Sequence, residues 1–167
     1  MWVIGGSTGG KEVWSSPDGI TWTLETSTPG FTARTGHTSV EFSGKIWVLG
    51  GYDGTSYKSD VWSSPDGVTW TQETAAAGWT ARTQHSSLNY NGRIWVIGGL
   101  ASTSPSGGRL KDVWSSLDGV TWTQVTAAAE FSARYGQTSL DFLSKMWILA
   151  GHEWTSGLKR DVWFSPP

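Results

Sequence analysis

The stretch "ARTGHTSVEFSGKIWVLGG" (residues 33–51) returns with few changes as "ARTQHSSLNYNGRIWVIGG" (81–99) and again as "ARYGQTSLDFLSKMWILAG" (133–151). Self-similarity at a fixed period marks a repeat architecture and decides how everything else is read. The repeat extends beyond these windows. Trp2, Trp47, Trp95 and Trp147 each sit in an apolar run ending in glycine, while Trp14, Trp62, Trp114 and Trp163 each follow an acidic residue and a valine. Trp22, Trp70 and Trp122 close "SPDGITW", "SPDGVTW" and "SLDGVTW". Eleven of the 13 tryptophans therefore belong to the repeat, so their abundance is architectural.

Composition agrees. With 22 Gly, six Pro, abundant Ser and Thr and no long run of helix formers at helical spacing, the chain reads as all-β. A net charge of -2 gives no reason to expect nucleic acid or an anionic membrane as partner. The absence of cysteine excludes a disulfide framework and a thiolate metal site. No apolar segment approaches the roughly 20 residues of a membrane helix, so no membrane insertion through helices is expected. The chain opens directly in a repeat, without the charged and then apolar head of a secretory signal.

Within a repeat the strands follow from pattern. In "HSSLNY", Ser86, Leu88 and Tyr90 alternate with Ser87 and Asn89, a half-buried strand, and Asn91-Gly92 supplies a two-residue hairpin turn. "RIWVIGG" is apolar on both faces and suits an inner strand covered on either side. "DVWSS" is next, then a turn at Asp66-Gly67 preceded by Pro65, then "VTWTQET". Each repeat is four short antiparallel strands. The spacing from third-strand Trp to fourth-strand Trp, on to Arg, and on to the next Trp is constant. Only the connection after Gly-Gly varies, at residues 7–11, 52–59, 100–111 and 152–160. A rigid frame with one variable loop per unit is how radial β-repeats carry a binding face.

On the paired glycines at 5–6, 50–51 and 98–99, the downstream tryptophans, and the Arg-x-x-His openings at Arg34/His37 and Arg82/His85, the repeats resemble kelch motifs. These are the blades of kelch-type β-propellers, related in architecture to galactose-oxidase-like propellers. The resemblance covers essentially the whole chain. It implies a propeller fold and a tendency to bind partners, and no particular chemistry. "SPDGVTW" is also similar to the Asp-box of sialidases, one residue shorter between Asp66 and Gly67. That motif is a turn device remote from the catalytic centre of those enzymes.

Candidate residues are weighed against the repeat. Arg34, Arg82 and Arg134 could form an arginine cluster for a carboxylate ligand, yet they fill one equivalent position and suit a structural bond to backbone or to a carboxylate. His37 and His85 share a position whose third copy is Gln137, which suits hydrogen bonding; no metal site and no cofactor are expected. Glu12, Asp60, Asp112 and Asp161 precede Val-Trp in every copy. Paired carboxylates could do glycosidic acid and base work, but a residue required in every blade reads better as a hydrogen-bond acceptor between blades. Phe31, Trp79 and Phe131 stand three positions before each Arg. Trp154 alone breaks the pattern, in a loop with His152 and Glu153. "GGSTGGK" lacks the ending and the following helix of a phosphate loop, and no nucleophile with a neighbouring base emerges, so no catalytic residue is assigned.

The expected architecture is a single array of about three and a half kelch-type blades, at 1–27 (partial), 33–75, 81–127 and 133–165 (partial). The first lacks its innermost strand and the last its outermost, which gives 14 strands. Met1 aligns with Ile46, Ile94 and Met146. A half-ring leaves sheet faces open, so either further blades or self-association, a homodimer in the simplest case, is expected to cover them. The expected function is non-catalytic binding of a protein or carbohydrate through Tyr52, Tyr57, Ser102 to Ser104 and Trp154, ringed inside by Arg34, Arg82 and Arg134. An acidic peptide or sugar would complement that ring. The alternative is half of a sialidase-like or galactose-oxidase-like enzyme.

Overall fold

The computed structural model describes residues 1–6, 10–101, 108–153 and 157–166. Its elements are β1 (Trp2–Ile4), β2 (Val13–Ser15), β3 (Thr23–Thr26), β4 (Thr38–Phe42), β5 (Lys45–Tyr52), β6 (Tyr57–Ser64), β7 (Thr71–Thr74) and β8 (Ser86–Tyr90), followed by β9 (Arg93–Leu100), β10 (Arg109–Ser116), β11 (Thr123–Thr126), β12 (Thr138–Phe142), β13 (Lys145–Leu149), β14 (His152–Glu153), β15 (Gly157–Leu158) and β16 (Val162–Phe164). They form antiparallel meanders in the orders β1-β2-β3, β4-β5-β6-β7, β8-β9-β10-β11 and β12-β13-β16, with β14-β15 as a separate pair. The innermost strands β4, β8 and β12 lie side by side, so the sheets are arrayed as blades about an axis.

Local chemistry sets each turn. Between β8 and β9 the chain needs two residues in the left-handed region, and Asn91 (φ 50°) and Gly92 (φ 68°) supply them. The fourth blade makes the same turn with Leu143 and Ser144 at φ 51° and 54°, a costlier choice for side-chain-bearing residues. There the Ser144 carbonyl accepts the Tyr90 hydroxyl at 2.7 Å, a bond from the neighbouring blade. The Asp-Gly turn is built from side chains: Asp66 Oδ1 accepts the amides of Val68 and Thr69 at 2.9 and 2.8 Å, and Ser64 Oγ accepts Gly67 N–H at 2.7 Å. Asp18 and Asp118 repeat it.

Two apolar faces meet at each blade junction. Ile4 and Val13 of the first blade pack with Val48, Ile46 and Trp62 of the second. Phe42, Trp47, Leu49 and Val61 then meet Ile94, Val96 and Trp114 of the third. Leu88, Trp95, Ile97 and Val113 meet Met146, Ile148 and Trp163 of the fourth. Closest approach falls on glycine: a Cβ on Gly67 would stand 2.2 Å from the Trp2 ring, and one on Gly119 2.2 Å from Trp47. Tryptophan of one blade thus packs against the Asp-Gly turn of the next.

The described residues form 16 strands where 14 were expected. The additional pair, β14 and β15, is the root of the fourth variable loop, interrupted at Ala150 (φ 57°). In the complete blades the same ladder continues from the inner strands, past a register shift, to Gly51↔Lys58 and Tyr52↔Tyr57. The loops therefore begin as β-ladders.

Candidate functional site

The three arginines stand at the roots of these loops. Each reaches its position because the aromatic three residues earlier packs beneath it, with guanidinium carbons 5.5 to 5.7 Å from the ring centroids of Phe31, Trp79 and Phe131. Arg82 Nη1 and Nη2 donate to Asp112 Oδ1 and Oδ2 at 2.8 and 2.7 Å, and Nη1 also to the Gly98 carbonyl at 2.9 Å. Arg34 does the same to Asp60 and Gly50, and Arg134 to Asp161 and Ala150. The third-strand indoles complete the carboxylate shells: Trp62, Trp114 and Trp163 donate Nε1–H to Asp60, Asp112 and Asp161 at 2.8, 2.7 and 2.8 Å. In the first blade Glu12 accepts the Trp14 indole at 3.0 Å.

These contacts are internal bonds to backbone and carboxylate, which the repeated position suited, and they leave no ring of free positive charge for an acidic ligand. Arg34, Arg82 and Arg134 are at most 1% exposed, and both terminal nitrogens of each are engaged. The guanidinium was drawn inward because the carboxylate one loop further on offers two matched acceptors, a geometry that bulk water does not equal. The acid residues are likewise committed. Burial pulls the Asp112 carboxyl up, but Arg82 and Trp114 outweigh it and leave it below the ordinary range. Arg134 holds Asp161 well below that range.

The main chains of Arg82 and Arg134 are bonded across the junction. Arg82 N–H donates to Lys58 O at 2.9 Å and Arg82 O accepts from Gly51 N at 2.8 Å, both in the preceding blade. Arg134 repeats this with Leu110 and Gly99. Each carboxylate therefore accepts within its own blade, from an arginine whose main chain, at Arg82 and Arg134, is bonded to the preceding blade.

The variable loops lie beside these posts, as the meander requires. Tyr52 and Tyr57 are half-buried, their rings 5.2 Å apart, and Tyr52 donates to the Gly54 carbonyl at 2.8 Å. Asp53 closes the tip through the amides of Thr55 and Ser56, with Lys58 at 2.6 Å. Lys58 and those amides hold its carboxyl well below the ordinary range. Trp154 and Ser102 to Ser104 lie outside the described residues. At the fourth blade, Tyr135 lies against His152, ring centroids 5.1 Å apart at a tilt of 37°, and the Arg109 guanidinium lies over the Tyr135 ring at 5.5 Å. Sequence reasoning passed over Tyr135, although its position holds Thr35 and Thr83 in the other copies and the departure was visible. Tyr135, Gln84, His152 and Lys159 border an open recess of about 580 Å³ on this face.

Toward the axis, His85 Nε2 and Thr38 Oγ1 are 2.8 Å apart, and Gln137 donates to the Ile97 carbonyl at 2.8 Å. The His37 ring is buried near Arg34, with Nδ1 unpartnered among the described residues. Burial, followed by the charge of the neighbouring arginine, pushes His37 down to about 4 and His85 down to about 3, so both are neutral near pH 7. Among the described residues no group of three His, Asp or Glu is placed to hold a metal ion.

Four antiparallel sheets about an axis, each sending its second-to-third-strand loop to one side, define a β-propeller. A family model described as the DUF6242 beta propeller domain matches residues 16–143, and the chain belongs to that family. Among solved structures the chain is similar to the one titled "Structure of YjhT", with a TM-score of 0.73 and 14% identity over 92% of this chain. It spans 48% of that structure's own chain, and at this identity the likeness concerns fold. No curated protein matches.

Proposed function

We propose that the chain is a non-catalytic interaction scaffold, a run of kelch-type blades that takes its ligand on the variable loops at one face. The observation that carries this reading is the contrast between root and loop. The roots of the second, third and fourth blades are the same arginine, carboxylate and indole in the same geometry, under loops that differ in length and residue type. Selection among ligands belongs to side chains that the frame does not need. Tyr57, Tyr135 and His152 give stackable rings with polar edges, which suit a sugar face or a protein side chain. With the arginines neutralised internally, charge contributes less to recognition than the sequence implied.

A second reading, a carbohydrate-active propeller, draws on the polar recess near the axis. Ser87 Oγ, Ser139 Oγ and Gln137 Oε1 are buried there without a protein partner, a lining that suits a polyhydroxylated ligand. A glycan array and a peptide array probed with the wild-type chain separate the classes, and any glycan hit is then incubated with protein and followed by NMR for turnover. For the scaffold reading, Tyr57→Ala, Tyr135→Ala and Trp154→Ala weaken binding with unchanged melting, and no glycan is converted. Loss of binding in Pro65→Ala or Asn91→Gly, at the opposite end of the blades, with the loop variants unaffected, would overturn it.

A further inference from the structure

The first and last blades each leave one sheet face open among the described residues, and the two faces are the unmatched halves of one junction. At the internal junctions the receiving face is formed by the repeat positions of Val48 and Val96, both 0% exposed; in the first blade that position is Val3, 48% exposed, flanked by Met1 and Leu24. The donating face carries Phe42, 6% exposed, and Trp47. In the fourth blade these positions are Phe142, 56% exposed, and Trp147, beside Val162 and Phe164. Each open face is thus apolar at the positions where its internal counterparts are covered.

We propose that a second copy of this chain covers them head to tail, the fourth blade of one copy packing on the first blade of its partner. The argument is continuity with a junction the chain makes three times. Trp147 corresponds to Trp2 and Trp47, which lie on Gly67 and Gly119; its platform is Gly19 of the partner copy. In the lone chain the flexible Met1 side chain sits over Gly19, with Cε 2.7 Å from where a Cβ would stand, and swings aside to admit the indole. Such a contact is heterologous, so it must close or propagate. The chain spans 48% of the YjhT structure, so two copies carry the length of one such propeller, and closure at two follows. This inference depends on the propeller fold and not on any loop ligand.

The test is sedimentation velocity at micromolar concentration on the wild-type chain, on Phe142→Glu and Leu24→Arg, and on an equal mixture of the two variants, with near-UV circular dichroism on each sample. Wild type sediments at about twice 18.1 kDa. Each variant has one spoiled face and dissociates, with affinity weakened at least about 30-fold. The mixture recovers the two-copy species, because the intact first blade of Phe142→Glu meets the intact fourth blade of Leu24→Arg. Recovery on mixing decides the case even where a separated variant loses structure. A folded wild-type monomer, a variant that stays dimeric alone, or a mixture that recovers neither association nor circular dichroism would each overturn the proposal.

Discussion

Arg82, at the start of the third blade, bonds in two directions: its amide donates to Lys58 of the second blade at 2.9 Å, while its side chain grips both oxygens of Asp112 in its own blade at 2.8 and 2.7 Å. One residue therefore ties two sheets, beside the hydrogen bonds that Thr83, Gln84 and His85 make to Thr35, Gly36 and Thr38 of the second blade. Removing one partner of such a pair strands a buried charge. Arg82→Ala is expected to cost about 3–5 kcal/mol by urea unfolding. Lys45→Ala, which breaks the exposed pair with Glu73, is expected to cost under about 1 kcal/mol. Equal losses would show that the buried pair is no anchor.

Gly119 separates backbone strain from packing. Alanine there must adopt φ near 75° and also place a methyl 2.2 Å from Trp47, whereas alanine at Gly92 (φ 68°) meets no atom within 4 Å. Gly92→Ala is expected to cost about 1–2 kcal/mol, the backbone penalty alone. Gly119→Ala should exceed it clearly in the same thermal unfolding series. Matching values would remove the Trp-on-glycine contact from the account of the junction.

The fold was legible because the repeat leaves few alternatives. Asn91-Gly92, the alternation of "HSSLNY" and the two-faced run at Ile94 to Gly99 each announce one strand or turn, and copies confirm one another. The arginine pairing was less legible. Arg34 and Asp60 lie 26 positions apart, but Arg82 and Asp112 lie 30 apart because the loop between them is longer, so the partners share no fixed spacing. Each position looked constant by itself, and a free arginine ring and an internally paired one leave the same sequence pattern. The role of Gly67 and Gly119 as platforms was hidden because a turn already explained them. Trp62 and Trp114 are half-buried and each delivers its N–H to an aspartate, a task their place in the repeat did not announce.

The histidines give the fold a pH dependence of definite sign. His37 and His85 titrate near 4 and 3 when folded, far below the ordinary 6.5, so between those values the unfolded chain binds more protons. Stability therefore falls as pH drops below 6.5. Thermal melts from pH 7.5 to 5 should show this decline, and His37→Gln/His85→Gln, with the side chain that Gln137 already uses, should flatten it. An unchanged slope in the double variant would place the sensitivity elsewhere.

The arginine as a tie between blades is tested most directly by native-state hydrogen exchange at Arg82 N–H, compared between wild type and Asp112→Asn. The substitution lies in the third blade, and the reporting amide bonds to Lys58 of the second. With the guanidinium loosened, the account predicts faster exchange at Arg82 and at Gly51, whose amide bonds the Arg82 carbonyl, while Gly99, tied to Arg134, changes less. Exchange that accelerates only within residues 93–126, leaving Arg82 and Gly51 as protected as in wild type, would contradict it.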